Sequence, residues 1–226
     1  MDHCAQIQTD SPVWHRTASQ ELVNAVTHGF GLVLALVGAF EMAGGLSLRD
    51  DGWLAIGCGA YLTSLVAVFA MSTLSHGTTV LKWKTIFRQL DQGFIYLLIV
   101  ATYTPFSLAF LHGTMWSALL AGMWVVALLG FVTKVFLAHR VESVSIASYV
   151  LLAWVPILSV PELSRTAPAA VLGSIFAGGF CYTVGTLFLI NDERVRHFHA
   201  IWHVCVIVGC GFHFMGIFEY VAMGVR

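Results

Sequence analysis

Charge is what this chain has least of. Lys, Arg, Asp and Glu make up 10% of its 226 residues, against roughly 25% in an ordinary water-soluble domain. So few charges cannot coat a globule of this size, and the solvent they imply is a bilayer. Low hydrophobicity is missing too: the apolar set reaches 58%, which excludes intrinsic disorder. A cationic surplus is absent, with a net charge of −1 and no basic run, which excludes nucleic acid as a partner. Cysteine is sparse, with five residues, Cys4, Cys58, Cys181, Cys205 and Cys210, and no CxxC spacing. That odd count implies neither a disulfide framework nor a thiolate metal site. Residues 1–20 are polar and lack the apolar core of a secretory signal. The first hydrophobic span is therefore expected to start insertion and to remain.

A helical span needs about 20 apolar residues. On that scale the sequence predicts an all-α bundle of seven spans, at about 25–48, 53–75, 92–111, 116–138, 144–160, 168–190 and 199–223. The breaks between them are short and carry the charges, so a single membrane domain over 1–226 is expected. Strands of about ten alternating residues, the mark of a membrane barrel, are lacking.

Lys and Arg set the expected orientation. Arg16, Lys82, Lys84, Arg88, Lys134, Arg140, Arg194 and Arg196 fall on the N-terminal side, and only Arg49, Arg165 and Arg226 on the other. This bias places the N-terminus in the cytoplasm and the C-terminus outside, opposite to the rhodopsin-like receptors. The last span also has no Lys for a retinal Schiff base.

An ionisable side chain near the bilayer centre costs at least ~2.5–3.5 kcal/mol, so such residues are rare and usually functional. With alternating span directions, Glu21, Asn24 and His28 of span 1 fall at its cytoplasmic start. Ser72 and His76 fall at the cytoplasmic end of span 2. Asp91 and Gln92 open span 3, and His199 and His203 open span 7. Four helices thus deliver their polar residues to one layer of one leaflet.

Spacing within that layer suggests chemistry. His199 and His203 are four residues apart, on one helix face about 6 Å from each other along the axis, which suits two imidazoles on one metal. A lone HxxxH is weak evidence, since such pairs are more often interfacial histidines bonded to water. A third His, His76, and a carboxylate, Asp91, at matching depth shift the balance towards a metal. Zn²⁺ is the first expectation for imidazole and carboxylate without thiolate, with Fe, Mn and Co left open. Three neutral imidazoles on a divalent cation lower the pKa of a bound water towards ~7. Asp91 would accept a proton from that water or ligate directly. Ser72, one turn from His76, either joins this chemistry or bonds back to its own helix. His213 shares the face of His199 but stands about 21 Å further along the axis, and reads as a packing or cavity residue. Gly44-Gly45, Gly57-x-Gly59 and Gly178-Gly179 read as close helix contacts, and Pro105 and Pro156 as kinks.

Four stretches carry a resemblance: ELVNAVTHGFG at 21–31, MSTLSHG at 71–77, LDQGFIYLLIVATYTPF at 90–106 and HFHAIWHVCVIVGCGFHF at 197–214. Together they resemble the haemolysin III group, the bacterial branch of the progestin and adiponectin receptor (PAQR) superfamily. The resemblance implies seven spans with a cytoplasmic N-terminus, and a zinc held by His76, His199 and His203 with Asp91 and Ser72 beside its water. Through the same Ser, Asp and three His it extends to alkaline ceramidases, which implies hydrolysis of a lipid amide. Ser75 stands where many relatives have Tyr, and Gln92 where many have His. Neither removes a ligand, but Gln92 alters the surroundings of the site.

Three functions follow as alternatives. The first is a zinc-dependent hydrolase of the bacterial inner membrane, with catalytic Asp91 and Ser72, metal-binding His76, His199 and His203, and supporting Glu21, Asn24, His28 and Gln92. Its partners would be membrane lipids, including a lipid amide substrate, with room for a homo-oligomer. The second is a non-enzymatic receptor or regulator in which zinc staples the helices. The third is a cytolysin or ion pathway, for which only scattered polar residues such as Thr102, Tyr182 and His213 lie deeper in the bilayer.

Overall fold

The computed structural model describes residues 16–46, 50–137 and 146–225. Among them there are helices and no strands. In chain order they are α1 (Ala18–Leu46), α2 (Gly52–Gly77), α3 (Leu81–Phe110), α4 (Thr114–Phe136), α5 (Ile146–Trp154), α6 (Val160–Thr166), α7 (Ala169–Ile190) and α8 (Phe198–Gly216). A 3₁₀ segment, Val155–Ser159, joins α5 to α6, and a π-helical segment, Ile217–Ala222, extends α8. Counting α5 to α6 as one run, seven helical segments are long and apolar enough to cross a membrane.

α1 shows how lipid as solvent inverts a helix. Its buried residues are Asn24, His28, Gly31, Ala35, Gly38, Met42 and Gly45, three or four apart. Its exposed residues include Leu22, Val26, Phe30, Val33, Val37 and Phe40. In water the large apolar face would turn inward. In a bilayer, lipid tails solvate that face as well as a protein core does. Association then depends on close packing and polar contacts, so small and polar residues face the bundle.

α1 packs on α2 and α8, α2 on α3, α3 on α4, and α7 on α8. One core joins α1, α2, α3 and α8 around Tyr61, Leu65, Phe69 and Phe106. A second, around Tyr96, Tyr103, Met123 and Leu163, joins α3 to α4, α5 and α6. Glycine sets how closely some pairs approach. A Cβ on Gly130 of α4 would stand 2.6 Å from the buried Tyr96 ring. Of the glycine pairs marked in the sequence, Gly45, Gly57 and Gly178 each meet a neighbouring side chain, while Gly44, Gly59 and Gly179 face open space. Residues one or two apart on a helix point about 100–200° away from each other, so one member of each pair packs.

The helices differ in extent from the expected spans. α3 begins at Leu81, not near 92, so Lys82, Lys84 and Arg88 lie on helix rather than in a loop. Hydropathy reports the apolar stretch, whereas backbone hydrogen bonding continues through the wet interface. α1 likewise begins at Ala18, which puts Glu21 and Asn24 on regular helix. The fifth span runs to Thr166, so most of the expected 161–167 loop is helical. Pro156 marks a change to 3₁₀ winding, and Pro161 fits the first turn of α6, where no backbone N–H is needed. Pro105 sits inside an α3 that continues to Phe110. Asp51 starts α2, its carboxylate accepting from the Trp53 and Leu54 amides at 3.1 Å. Residues 144–145 and the side chains of Cys4, Arg49, Arg140 and Arg226 lie outside the described residues.

Candidate metal centre

The start of α1, the end of α2, the start of α3 and the start of α8 meet at one end of the bundle. His76, His199 and His203 gather there, with one potential ligand atom from each within 4.8 Å of the others. His203 is 1% exposed, and the His76 side chain 7%. Ring centroids lie 5.1 Å apart for His76–His199, 4.5 Å for His199–His203 and 5.2 Å for His76–His203.

Two carboxylates orient the first two rings. His76 Nδ1 is 2.6 Å from Glu21 Oε2, and His199 Nδ1 is 2.6 Å from Asp192 Oδ2. An ionised carboxylate only accepts, so each Nδ1 must be the donor. Each Nε2 then carries a lone pair, and the two Nε2 atoms face each other at 3.3 Å. Lone pairs at that range need positive charge between them, a shared proton or a metal ion. Nitrogens about 2.0–2.1 Å from a tetrahedral ion stand roughly 3.3–3.4 Å apart. With His203 as a third imidazole, the donor set fits a metal. Carboxylate–imidazole–metal chains of this kind fix tautomer and orientation.

Cations in turn hold the carboxylates. Lys84 Nζ lies 2.9 Å from Glu21 Oε1. Arg16 Nη2 is 2.5 Å from Asp192 Oδ2 and 3.0 Å from His199 Nδ1. Burial works against the Asp192 carboxylate, but His199 and Arg16 outweigh it and hold the group below its ordinary range.

Glu21, expected from the sequence as a supporting residue, contacts His76, and Asp192, which sequence reasoning does not single out, makes the matching contact to His199. In the sequence Arg16 and Lys84 mark only orientation; in the structure they pair with Asp192 and Glu21. Asp192 belongs to the turn between α7 and α8, where nothing in the sequence separates it from its neighbour Glu193. The turn ends on His197, whose φ of 67° lies in the left-handed region, a conformation His tolerates better than most residues.

Asp91 is not one of the clustered ligands. It lies beside Ser72 and Arg88. Ser72 is fully buried and its Oγ has no well-formed hydrogen bond. The back-bond to its own helix does not form, although its neighbours Thr73 and Ser75 both make one. Asn24 and His28 are 2% and 3% exposed, and His28 stacks on His203 with centroids 3.4 Å apart. The Gln92 main-chain carbonyl accepts from Tyr149 Oη at 3.1 Å, and among the described contacts nothing ties its side chain to the histidines. Asp91 and Gln92 diverge by about 100° on α3. His213 packs deeper, with its Nε2 3.3 Å from the Ile175 carbonyl.

Residues 16–214 match the family described as "Haemolysin-III related". The chain is 34% identical over 204 residues to "Hemolysin-3 homolog" of Bacillus subtilis (strain 168), covering 90% of this chain and 95% of the relative. It is 32% identical over 202 residues to "Hemolysin-3" of Bacillus cereus, covering 89% and 92%. It is also 29% identical over 213 residues to "Monocyte to macrophage differentiation factor" of Homo sapiens, covering 90% and 85%. The chain belongs to the haemolysin III family of multi-pass membrane proteins.

Proposed function

We infer that this haemolysin III protein is a zinc-dependent hydrolase of lipid amides, with its site just inside the cytoplasmic face of the bacterial inner membrane. The carrying observation is the pair of carboxylate-oriented imidazoles with Nε2 atoms 3.3 Å apart, set in a layer that also contains Asp91 and Ser72. A helix staple needs the three histidines, but gives no role to the Asp91 carboxyl and the Ser72 hydroxyl that stand together in the same layer. When bound by His76, His199 and His203, zinc would supply Lewis-acid polarisation of a carbonyl and a water of lowered pKa.

The chain's own groups then divide the work. Asp91 accepts a proton from the water that attacks the acyl carbon. Ser72 donates its hydroxyl hydrogen to the oxygen that gains negative charge. As the C–N bond breaks, Asp91 returns its proton to the departing amine, leaving a fatty acid. Glu21 and Asp192 keep His76 and His199 in the tautomer that presents Nε2. The apolar outer faces of the helices admit the acyl chain from the bilayer.

Elemental analysis of purified protein, followed by incubation with a defined lipid amide, tests this reading. Stoichiometric metal and release of free fatty acid support it. Absence of metal overturns it. The second reading, a non-enzymatic regulator with structural zinc, is favoured by the origin of all three clustered histidines on just α2 and α8. It predicts metal without turnover.

A further inference from the structure

The last turns of α2 and the first turns of α3 enclose a groove of about 520 Å³, lined by Thr73, Leu74, Gly77, Thr78, Trp83 and Phe87. That volume lies in the range of ligand sites. The groove opens away from the histidines. Leu74 and Thr78 stand two residues either side of His76 on α2, so each points about 160° away from that imidazole. The walls are apolar and accessible: Leu74 is 44% exposed and Trp83 50%. The Trp83 ring stacks on Phe87 with centroids 5.9 Å apart. The groove stands where the apolar run of α2 ends and α3 is still polar, the level at which Trp and Lys anchor spans at a bilayer surface. Its polar rim is one-sided. Lys82 holds its ammonium 5.9 Å from the centre of the Trp83 ring and, among the described residues, has no carboxylate partner. Trp83 adds an indole N–H, which only donates. Thr78 Oγ1 accepts from the Val80 amide at 3.3 Å, which leaves its hydroxyl hydrogen to give. No side chain caps the start of α3, so first-turn amides add to these donors. No carboxylate lines the groove. A cation and hydrogen-bond donors beside an apolar trough match a ligand with an anionic head and an alkyl tail.

We propose that this groove binds an anionic glycerophospholipid, with one acyl chain along Leu74, Trp83 and Phe87 and the phosphodiester against Lys82 and Thr78. The lipid is a resident ligand and not a substrate of the histidine centre, so the proposal is independent of the hydrolase reading. A zwitterionic head suits the groove less well, because its ammonium finds no carboxylate there. Seated in the groove, the lipid bridges the end of α2 and the start of α3, the helices that carry His76 and Asp91.

The test is native mass spectrometry of the full-length protein in detergent, titrated with dioleoylphosphatidylglycerol or dioleoylphosphatidylcholine, which share acyl chains and differ in head charge. The wild type should take its first phosphatidylglycerol roughly fivefold more tightly, the scale of one lysine at an anionic surface. Lys82→Gln should bring the two lipids close to parity, and Lys82→Arg should keep the preference. Lys134→Gln removes an equal charge from the end of α4, outside the groove, and should leave the preference intact. A Cβ at Gly77 meets nothing within 4 Å, so Gly77→Leu fills the groove without displacing a neighbour and should weaken both lipids severalfold. Parity in the wild type overturns the proposal. So does an equal fall in Lys82→Gln and Lys134→Gln, which assigns the preference to diffuse charge. Wild-type affinity for both lipids in Gly77→Leu also overturns it, by placing the lipid elsewhere.

Discussion

His76 and His199, 123 residues apart in sequence, bring their Nε2 atoms to within 3.3 Å of each other. Each is held there from behind by a carboxylate, Glu21 or Asp192. The chain has few charges, and the pairs Lys84–Glu21 and Arg16–Asp192 are both spent on orienting these rings.

Removal of a clustered imidazole should remove the metal. His203→Ala is expected to purify with well under one ion per chain, read by elemental analysis against wild type. Since His203 joins α8 to the His76 of α2, its melting temperature should also fall, and adding metal should not restore it.

The orienting carboxylates should tune affinity without deciding occupancy. Glu21→Gln and Asp192→Asn are each expected to weaken metal binding by about 10–100-fold, with the fold retained. Competition against a chelator of known affinity measures this. Affinity equal to wild type in both variants would show that the carboxylates do not act through the rings.

Asp91→Ala separates the two functional readings. Under the hydrolase reading the variant keeps its metal and its melting temperature, and loses lipid amide turnover by at least about 10²-fold, the scale of positioned acid–base catalysis. Under the staple reading the same variant behaves as wild type in every assay of physiological effect.

Glycines on α4 provide a packing test away from the site. Gly130→Ala sets a methyl against the Tyr96 ring and should destabilise by about 1–3 kcal/mol, as overpacking does. Gly122→Ala, on the same helix with open space at that position, should leave the melting temperature unchanged.

Much of the bundle was legible in the sequence because a bilayer leaves few choices. A long apolar run in lipid must satisfy its own backbone, and helix is the only open-ended way to do so. The layer of Glu21, Asn24, His28, Ser72, His76, Asp91, His199 and His203 was also legible, from alternating span direction and axial rise alone. Helix ends were less so. The start of α3 at Leu81 lies where hydropathy has already faded but hydrogen bonding has not.

Tertiary structure decided what depth could not. Axial position says that two residues share a layer, but not whether they face each other across the bundle or point apart. Asp192 reaches His199 because the turn through His197 folds it back. Asp91 lies with Ser72 and Arg88 rather than among the imidazoles, and the Gln92 carbonyl is committed to Tyr149. The sequence by itself determined the solvent, the number of spans and the stratum in which the buried polar residues collect, because all three follow from transfer energies and a fixed rise per residue. Which polar groups touch depends on helix rotation and close approach. Small residues such as Gly130 and the contacts between distant helices set these, so only the folded bundle decided them.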